Sequence, residues 1–427
     1  MKWNKIEKAI IERRFIMSTL KFIPSIPQRI VQLICKWIKW ADKGLSVTYL
    51  HDMARRIPVQ NDKIIFLPFR GDYECNAKWI CEEIIRQDLP YRLSWGIYST
   101  TNVATGMFPE QIKLYTRGSY KFYRELSSAK IIIDNGISTA FLGYRKKKDQ
   151  VLIETWHGAI GIKKFSPNTV NDKKWVKRAY KEAEMTDYCI SNSEFEDAVY
   201  REDYWKDTPI LRYGHARNDI LCERNTKRGY KIRAKIYEQY HLNLETRICM
   251  YAPTFRDDKD LRPYLIDYSA LIAALKERFG GDWVVFTRFH YRIRNKVKNI
   301  SMPEEVINVS GYPDIQELMT CTDVGITDYS SWICEYLLTR RPGFLFATDI
   351  AHYAEKEREF FYPLESMPFP LATSNEQLIE NIRNFDMERF EIECEAFLQE
   401  KGCMDDGHAA ERIVEKIKEI MDGGVSK

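Results

Sequence analysis

The chain has 427 residues, 44% hydrophobic and 30% charged, with 65 Lys and Arg against 61 Asp and Glu for a formal charge of +4. The core of one domain stops growing well below this length, so two domains are expected, and the composition excludes both a disordered chain and an integral membrane protein. So small a charge gives nucleic acid no footing as a partner, and the location of the positive charge matters more than its sum.

It lies at the front. Residues 1–45 hold ten Lys and Arg against Glu7, Glu12 and Asp42, a net +7 that leaves the remaining chain at −3. Trp3, Ile6, Ile10 and Ile11 sit among Lys2, Lys5, Lys8, Arg13 and Arg14. After Pro24 and Pro27, the residues Ile30, Val31, Leu33, Ile34, Trp37, Ile38 and Trp40 recur at helical spacing opposite Arg29, Lys36 and Lys39. The spacing predicts N-terminal amphipathic helices. Basic residues with tryptophans on the apolar side suit an anionic membrane surface; the same pattern suits helices packed on a domain surface. No apolar run reaches the roughly 18 residues a membrane span needs, and Arg13, Arg14 and Lys21 interrupt any secretory signal. Ten cysteines form no Cys-x-x-Cys pair, so neither zinc nor a disulfide framework is expected, no metal or cofactor is assigned, and a reducing cytoplasm fits.

From Lys63 onward short apolar runs alternate with helical stretches, the pattern of a parallel α/β architecture. Strands are predicted at 64–67, 91–95, 131–133, 151–153, around Ile190 and at 209–211, which makes residues 46–215 a Rossmann-like domain. A second series at 247–251, 283–286, 306–309, 324–327 and 343–346, with helices over 264–279 and 312–321, makes residues 216–427 a second such domain with closing C-terminal helices. A charged helical connection spans 215–245. The fold class is α/β, two Rossmann-like domains facing across a cleft, and ligands of such folds lie outside the carboxyl ends of the strands.

Four segments stand just past a predicted strand. Val151-Leu152-Ile153-Glu154 runs into Trp156-His157-Gly158, where His157 is placed to act as a base, or to be a histidine bonded in a turn. Gly158 and Gly161 permit close approach of an anionic ligand. In the second segment Thr254 and Arg256 are candidate phosphate ligands; Asp258-Lys259-Asp260 has the form of a metal-holding triplet, which charged loops also produce by chance. Third, Arg288, His290 and Arg292 gather where a diphosphate would lie, or form a surface basic run. Fourth, Thr327-Asp328-Tyr329-Ser330-Ser331 leads into a helix, where capping and anion binding are compatible, and Glu335 lies four residues past Ser331, on the same face.

These segments, in this order, resemble the CDP-glycerol glycerophosphotransferase family of teichoic-acid-type polyol phosphate transferases. The likeness covers roughly residues 60–390 and includes Gly71-Asp72-Tyr73-Glu74-Cys75-Asn76-Ala77-Lys78, Gly214 with Arg217-Asn218-Asp219, and the stretch from Arg341-Pro342 to Phe361-Tyr362. It implies a glycosyltransferase-B type fold, with residues 46–215 as the acceptor domain and residues 216–427 as the CDP-donor-binding domain, and transfer of a polyol phosphate from a CDP-alcohol donor to a lipid-linked or polymer acceptor, with release of CMP, at the cytoplasmic face of the cell membrane. By the same resemblance His157 is the base and His290 lies beside the donor diphosphate. Thr254, Arg256, Arg288, Asp328, Ser330, Ser331 and Glu335 hold the donor, and Gly158, Arg217 and Asp219 belong to an acceptor or phosphate loop. The chain departs from the family pattern at Ala159-Ile160, Tyr291 and His215-Ala216. The absence of an evident extra acceptor module points to a primase-like or capsule-type enzyme. A nucleotide-sugar glycosyltransferase of the same fold and an inactive membrane-bound scaffold are the competing readings.

Overall fold

In a computed structural model of the chain, the described residues are 54–423 apart from 102, 104–106, 159, 171, 257–259, 291–301 and 357–358. The amphipathic helices expected in residues 1–45 lie outside them.

The first sheet opens with β1 (Gln60–Leu67), whose last five residues are buried on both faces, as a strand covered on both sides by crossover helices must be. Helix α1 (Cys75–Arg86) lays Trp79, Ile80 and Ile84 against it. There follow β2 (Arg92–Ile97), β3 (Ile112–Thr116), α2 (Tyr120–Ser128), β4 (Ala129–Asp134), the short α3 (Ser138–Phe141), β5 (Val151–Glu154), α4 (Lys173–Ala183), β6 (Tyr188–Ser191), α5 (Glu194–Asp203) and β7 (Ile210–Arg212). All pairings are parallel, in the order β3-β2-β1-β4-β5-β6-β7.

Past Asp219–Cys222 (α6) and Lys227–Gln239 (α7) the pattern repeats: β8 (Arg247–Tyr251), α8 (Tyr268–Phe279), β9 (Trp283–Thr287), β10 (Val306–Asn308), α9 (Ile315–Cys321), β11 (Val324–Thr327), α10 (Trp332–Tyr336), β12 (Gly343–Phe346), α11 (Ile350–Lys356) and β13 (Leu371–Ala372). Their order is β10-β9-β8-β11-β12-β13. In each sheet the winding reverses beside the first strand, between β1 and β4 and between β8 and β11. A crevice opens at such a switch point because the two flanking loops leave in opposite directions.

The domains are tied by buried charge. Lys78 on α1 donates to Asp314 and Glu317, 2.6 Å each, at the start of α9, and Arg217 pairs with Glu335. After α12 (Asn375–Arg383) and α13 (Met387–Glu400), helix α14 (Ala409–Met421) returns to the first domain and packs on α1. Its first turn is capped by Asp219, which accepts from the Ala409 and Ala410 amides at 2.9 and 2.8 Å. Two strands escape the sequence pattern. β3 is a half-exposed edge with Lys113 in it, and β13 has only two residues.

Candidate active site

The His157 turn is built where β1, β4 and β5 end side by side. Leu67 pairs with Asp134, and Asp134 with Glu154. The Asp134 carboxylate accepts from the Gly136, Ser138 and Thr139 amides and the Thr139 hydroxyl, and so anchors the β4 loop. Glu154 accepts from the Trp156 amide at 2.8 Å and the Ile137 amide at 3.2 Å. Asn76, fully buried on α1, donates to the Thr155 and Trp156 carbonyls at 3.0 and 3.2 Å. Held from both sides, Trp156 takes a left-handed conformation with φ of 51°, a strained choice for a bulky side chain and one that turns the next residue outward.

That residue is His157. Its Nδ1 lies 2.6 Å from the Asn135 carbonyl oxygen. A carbonyl only accepts, so Nδ1 carries the hydrogen and Nε2 is left as the basic nitrogen. The ring is stacked on Phe69, at 5.4 Å and 14°, and lies tilted against Trp156, at 4.5 Å and 32°. The residue is open on its outer side, but neighbouring protein around the ring pushes its pKa from 6.5 down to about 4, partly opposed by the Asn135 bond. It is therefore neutral at physiological pH.

Beneath the turn, oxygens of Asp134, Glu154 and Glu182 lie within 4.8 Å of one another, all fully buried. Burial, then the neighbouring carboxylates, raises Glu154 and Glu182 well above the usual range. Most of these oxygens accept from the 136–140 and Trp156 amides, so the cluster holds the β4 and β5 loops in register.

Opposite stands the second sheet's crevice. The Arg288 amide donates to the Tyr251 carbonyl, and the Phe289 amide to the Ser310 hydroxyl at 2.8 Å. This brings Arg288 and His290 out past β9, with His290 against the Phe255 ring at 5.2 Å. Between the domains lies a cavity of about 960 Å³, lined by Arg70, Glu74 and Lys78 on one side and Arg288, His290 and Ser330 on the other. That volume suits a nucleotide-sized ligand. Burial raises Glu74 to about 7 and lowers Arg288, the latter opposed by Glu74 and Asp314.

The remaining expected site residues are distributed differently. Thr254 is half-buried beside the cavity, its hydroxyl 3.4 Å from Lys163 Nζ of the first domain. Ser331 is half-buried just before α10 and makes no capping bond with its side chain. Arg256 grips Asp349 through two 2.8 Å bonds and Asp328 through one of 2.6 Å, among the rings of Tyr264, Tyr329 and Tyr353. Asp328 also accepts from the Thr254 amide at 2.7 Å. Glu335 is buried between Arg217 and the Gln316 amide. Asp219 is the α14 cap, its pKa raised by burial to about 7. Gly158 sits against the Trp156 indole. Of the Asp258-Lys259-Asp260 triplet only Asp260 is described, bonded to Arg262, and Arg292 lies outside the described residues. Arg70, Glu74 and Lys163 were given no role by sequence, although the rule that exposes His157, polar residues directly after an apolar strand, applies equally to Arg70 and Glu74.

A loop joins the halves. Residues 162–164, just beyond His157, pair antiparallel with 359–361 of the second domain: Lys164 N donates to Glu359 O and Phe361 N to Ile162 O, 2.9 Å each. The turn that carries His157 is thus fastened to the opposite domain.

Two parallel doubly wound sheets, with His157 past one set of strands and Arg288 and His290 past the other, define a two-domain α/β architecture whose crevice is of a size and place to take a nucleotide. The chain belongs to the CDP-glycerol:poly(glycerophosphate) glycerophosphotransferase family, whose model matches residues 49–419. It is 30% identical over 370 residues to the teichoic acid poly(glycerol phosphate) polymerase of Staphylococcus epidermidis, covering 83% of this chain and 50% of that protein. It is 27% identical to the teichoic acid glycerol-phosphate transferase of Staphylococcus aureus, covering 87% and 96%. The chain spans about half the length of the first of these relatives and nearly all of the second. Among solved structures it resembles the wall teichoic acid polymerase TagF, with a TM-score of 0.77 and 28% identity over 92% of this chain and 97% of that one. A UDP-N-acetylglucosamine 2-epimerase from Listeria monocytogenes, at 13% identity and a TM-score of 0.52, shares the fold alone. No helix among the described residues is long and apolar enough to cross a membrane.

Proposed function

We propose that the protein, with the facing domains of a glycosyltransferase-B type enzyme, transfers a polyol phosphate, glycerol phosphate first, from a CDP-alcohol to a hydroxyl of a lipid-linked or polymer acceptor in teichoic acid or capsule-like polymer synthesis. The observation that carries this reading is the His157 geometry: Nδ1–H is committed to the Asn135 carbonyl at 2.6 Å, which leaves Nε2 as a neutral basic nitrogen on the outer side of the turn, while Arg288 and His290 line the cleft between the domains. Nε2 takes the acceptor's hydroxyl proton, and the resulting oxygen attacks the donor's β-phosphorus in line. The bond from that phosphorus to the bridging oxygen breaks, and CMP leaves with the electron pair. Little covalent work falls to the protein in such a transfer; placement and charge do most of it.

Arg288, His290 and Ser330 take the diphosphate, with Thr254 and Ser331 at its edge. Arg256 and Asp328 act one layer behind, holding the 252–256 loop against β11. Arg217, Glu335 and Asp219 keep the two domains in register. The enzyme works at the cytoplasmic face of the membrane as a peripheral protein, its residues 1–45 meeting anionic lipid.

The test is a donor screen with a lipid-linked glycosyl acceptor and the full chain. CDP-glycerol or CDP-ribitol should yield CMP, and His157→Ala should lower the rate about 10²–10⁴-fold, the range for loss of a general base. Release of UDP or GDP from sugar donors would replace the reading with a glycosyltransferase, and no turnover of any CDP-alcohol would leave a scaffold.

A further inference from the structure

Helix α4 forms part of the wall behind the His157 turn. Trp175 meets the Trp156 ring edge-on at 6.4 Å, and Ala179 and Ala183 pack into the same cluster with Tyr200 and Trp205. Its outer side is different. Lys173, Lys174, Lys177 and Lys181 are exposed, and Arg178 lies 4.5 Å over the ring of Phe141. Among the described residues none of the four lysine side chains has an ion-pair partner. The one acid within the helix, Glu182, faces inward and accepts from the Ala140 amide at 2.5 Å.

The Asp172 carboxylate caps the helix, accepting from the Lys174 and Trp175 amides at 2.9 and 3.1 Å, and so supplies the anion the helix dipole favours at that end. The unfavourable feature is the repeat that follows it. Lys173, Lys177 and Lys181 repeat at every fourth residue, and Lys174 and Arg178 form a second such pair, so like charges stack where a carboxylate would relieve them. A local conflict of this kind is expected where a site is kept for a ligand. Four residues of helix rise about 6 Å, so the stripe offers cations at a regular interval comparable to that of a short polyol in an extended phosphodiester chain.

We propose that the exposed face of α4 binds a polyanionic acceptor, a chain of phosphodiesters laid along Lys173, Lys177 and Lys181 and led over the Trp175 end toward His157. The identity of the chain as acceptor rests on the phosphotransfer reading above; the binding itself does not.

The experiment compares the full chain with the variant Lys173→Gln, Lys177→Gln, Lys181→Gln, both keeping residues 1–45 so that the other basic segment cancels. The probes are fluorescent poly(glycerol phosphate) oligomers of increasing length and, separately, vesicles of anionic phospholipid. Wild type should bind longer oligomers more tightly, with log K falling linearly against log salt. The variant should lose about 2 units of that slope, as three contacts to a single-stranded polyanion imply, with a melting temperature equal to or slightly above wild type, because the stacked like charges are gone. Its KM for an oligomeric acceptor should rise about tenfold, while turnover of a short uncharged acceptor stays within twofold. Equal polymer binding by both proteins overturns the proposal, and so does a variant that loses vesicle binding alone, which would make α4 a membrane face. Wild type that binds oligomers with the expected length and salt dependence but releases no CMP would sink the transferase reading and leave the binding face standing.

Discussion

Removing the Glu335 carboxylate should damage the fold and spare donor binding. In Glu335→Ala the Arg217 guanidinium stays buried with Cys75 Sγ, at 3.1 Å, in place of its counter-ion; its Nε already lacks a partner, and the Gln316 amide loses an acceptor at 2.8 Å. Breaking a buried ion pair from one side costs about 3–5 kcal/mol, a large part of the roughly 5–15 kcal/mol that holds a domain folded. With a urea slope of about 3 kcal/mol/M, the midpoint should fall by about 1–2 M. Urea unfolding followed by tryptophan fluorescence measures this, alongside CMP release against CDP-glycerol concentration in the absence of urea. The double variant Arg217→Met, Glu335→Leu should regain much of the loss, because no uncompensated charge remains. A midpoint that stays in place while the donor KM climbs tenfold would refute the reasoning and return Glu335 to the set of donor-holding residues.

Three further outcomes follow from the same geometry. The depressed pKa of His157 keeps the base neutral below 6.5, so the acid limb of kcat/KM should centre toward about 4; a limb at 6.5 or above contradicts it. By linkage, its contribution to stability is complete above pH 6.5 and is lost as pH falls through about 4. In Gly136→Ala the new Cβ meets Phe69 Cβ at 3.1 Å and His157 Nδ1 at 3.4 Å, so a shift of a few tenths of an ångström in the base should cut kcat about tenfold with little change in melting temperature. Asn76→Ala strands the Thr155 and Trp156 carbonyls and should destabilise the protein by about 1–3 kcal/mol. It should lower kcat more than it raises either KM, and an unchanged kcat would show that Asn76 does not position the turn.

The strands carrying the site were legible because each is an apolar run that breaks abruptly into polar residues, as at Ile153-Glu154 or Phe286-Thr287. β3 was not, since a half-exposed edge strand needs no such run. The charged site residues separate along another line. Arg256 and Glu335 look like donor ligands in the sequence, but in the fold they face Asp349 and Arg217, 93 and 118 positions away. A single chain read in order carries no signal of which distant charge will be buried beside which.

The order of apolar and polar segments by itself determined two parallel α/β domains and put His157 and His290 at strand ends, because burial on both faces and the βαβ connection leave few other arrangements. Only the tertiary structure decided which nitrogen of His157 is basic, which arginines line the cleft between the domains, and that the lysines of α4 have no ion-pair partner among the described residues. Each of those depends on neighbours brought together by packing, and burial makes such choices consequential, since a charge shut away from water must find a partner or lose its proton.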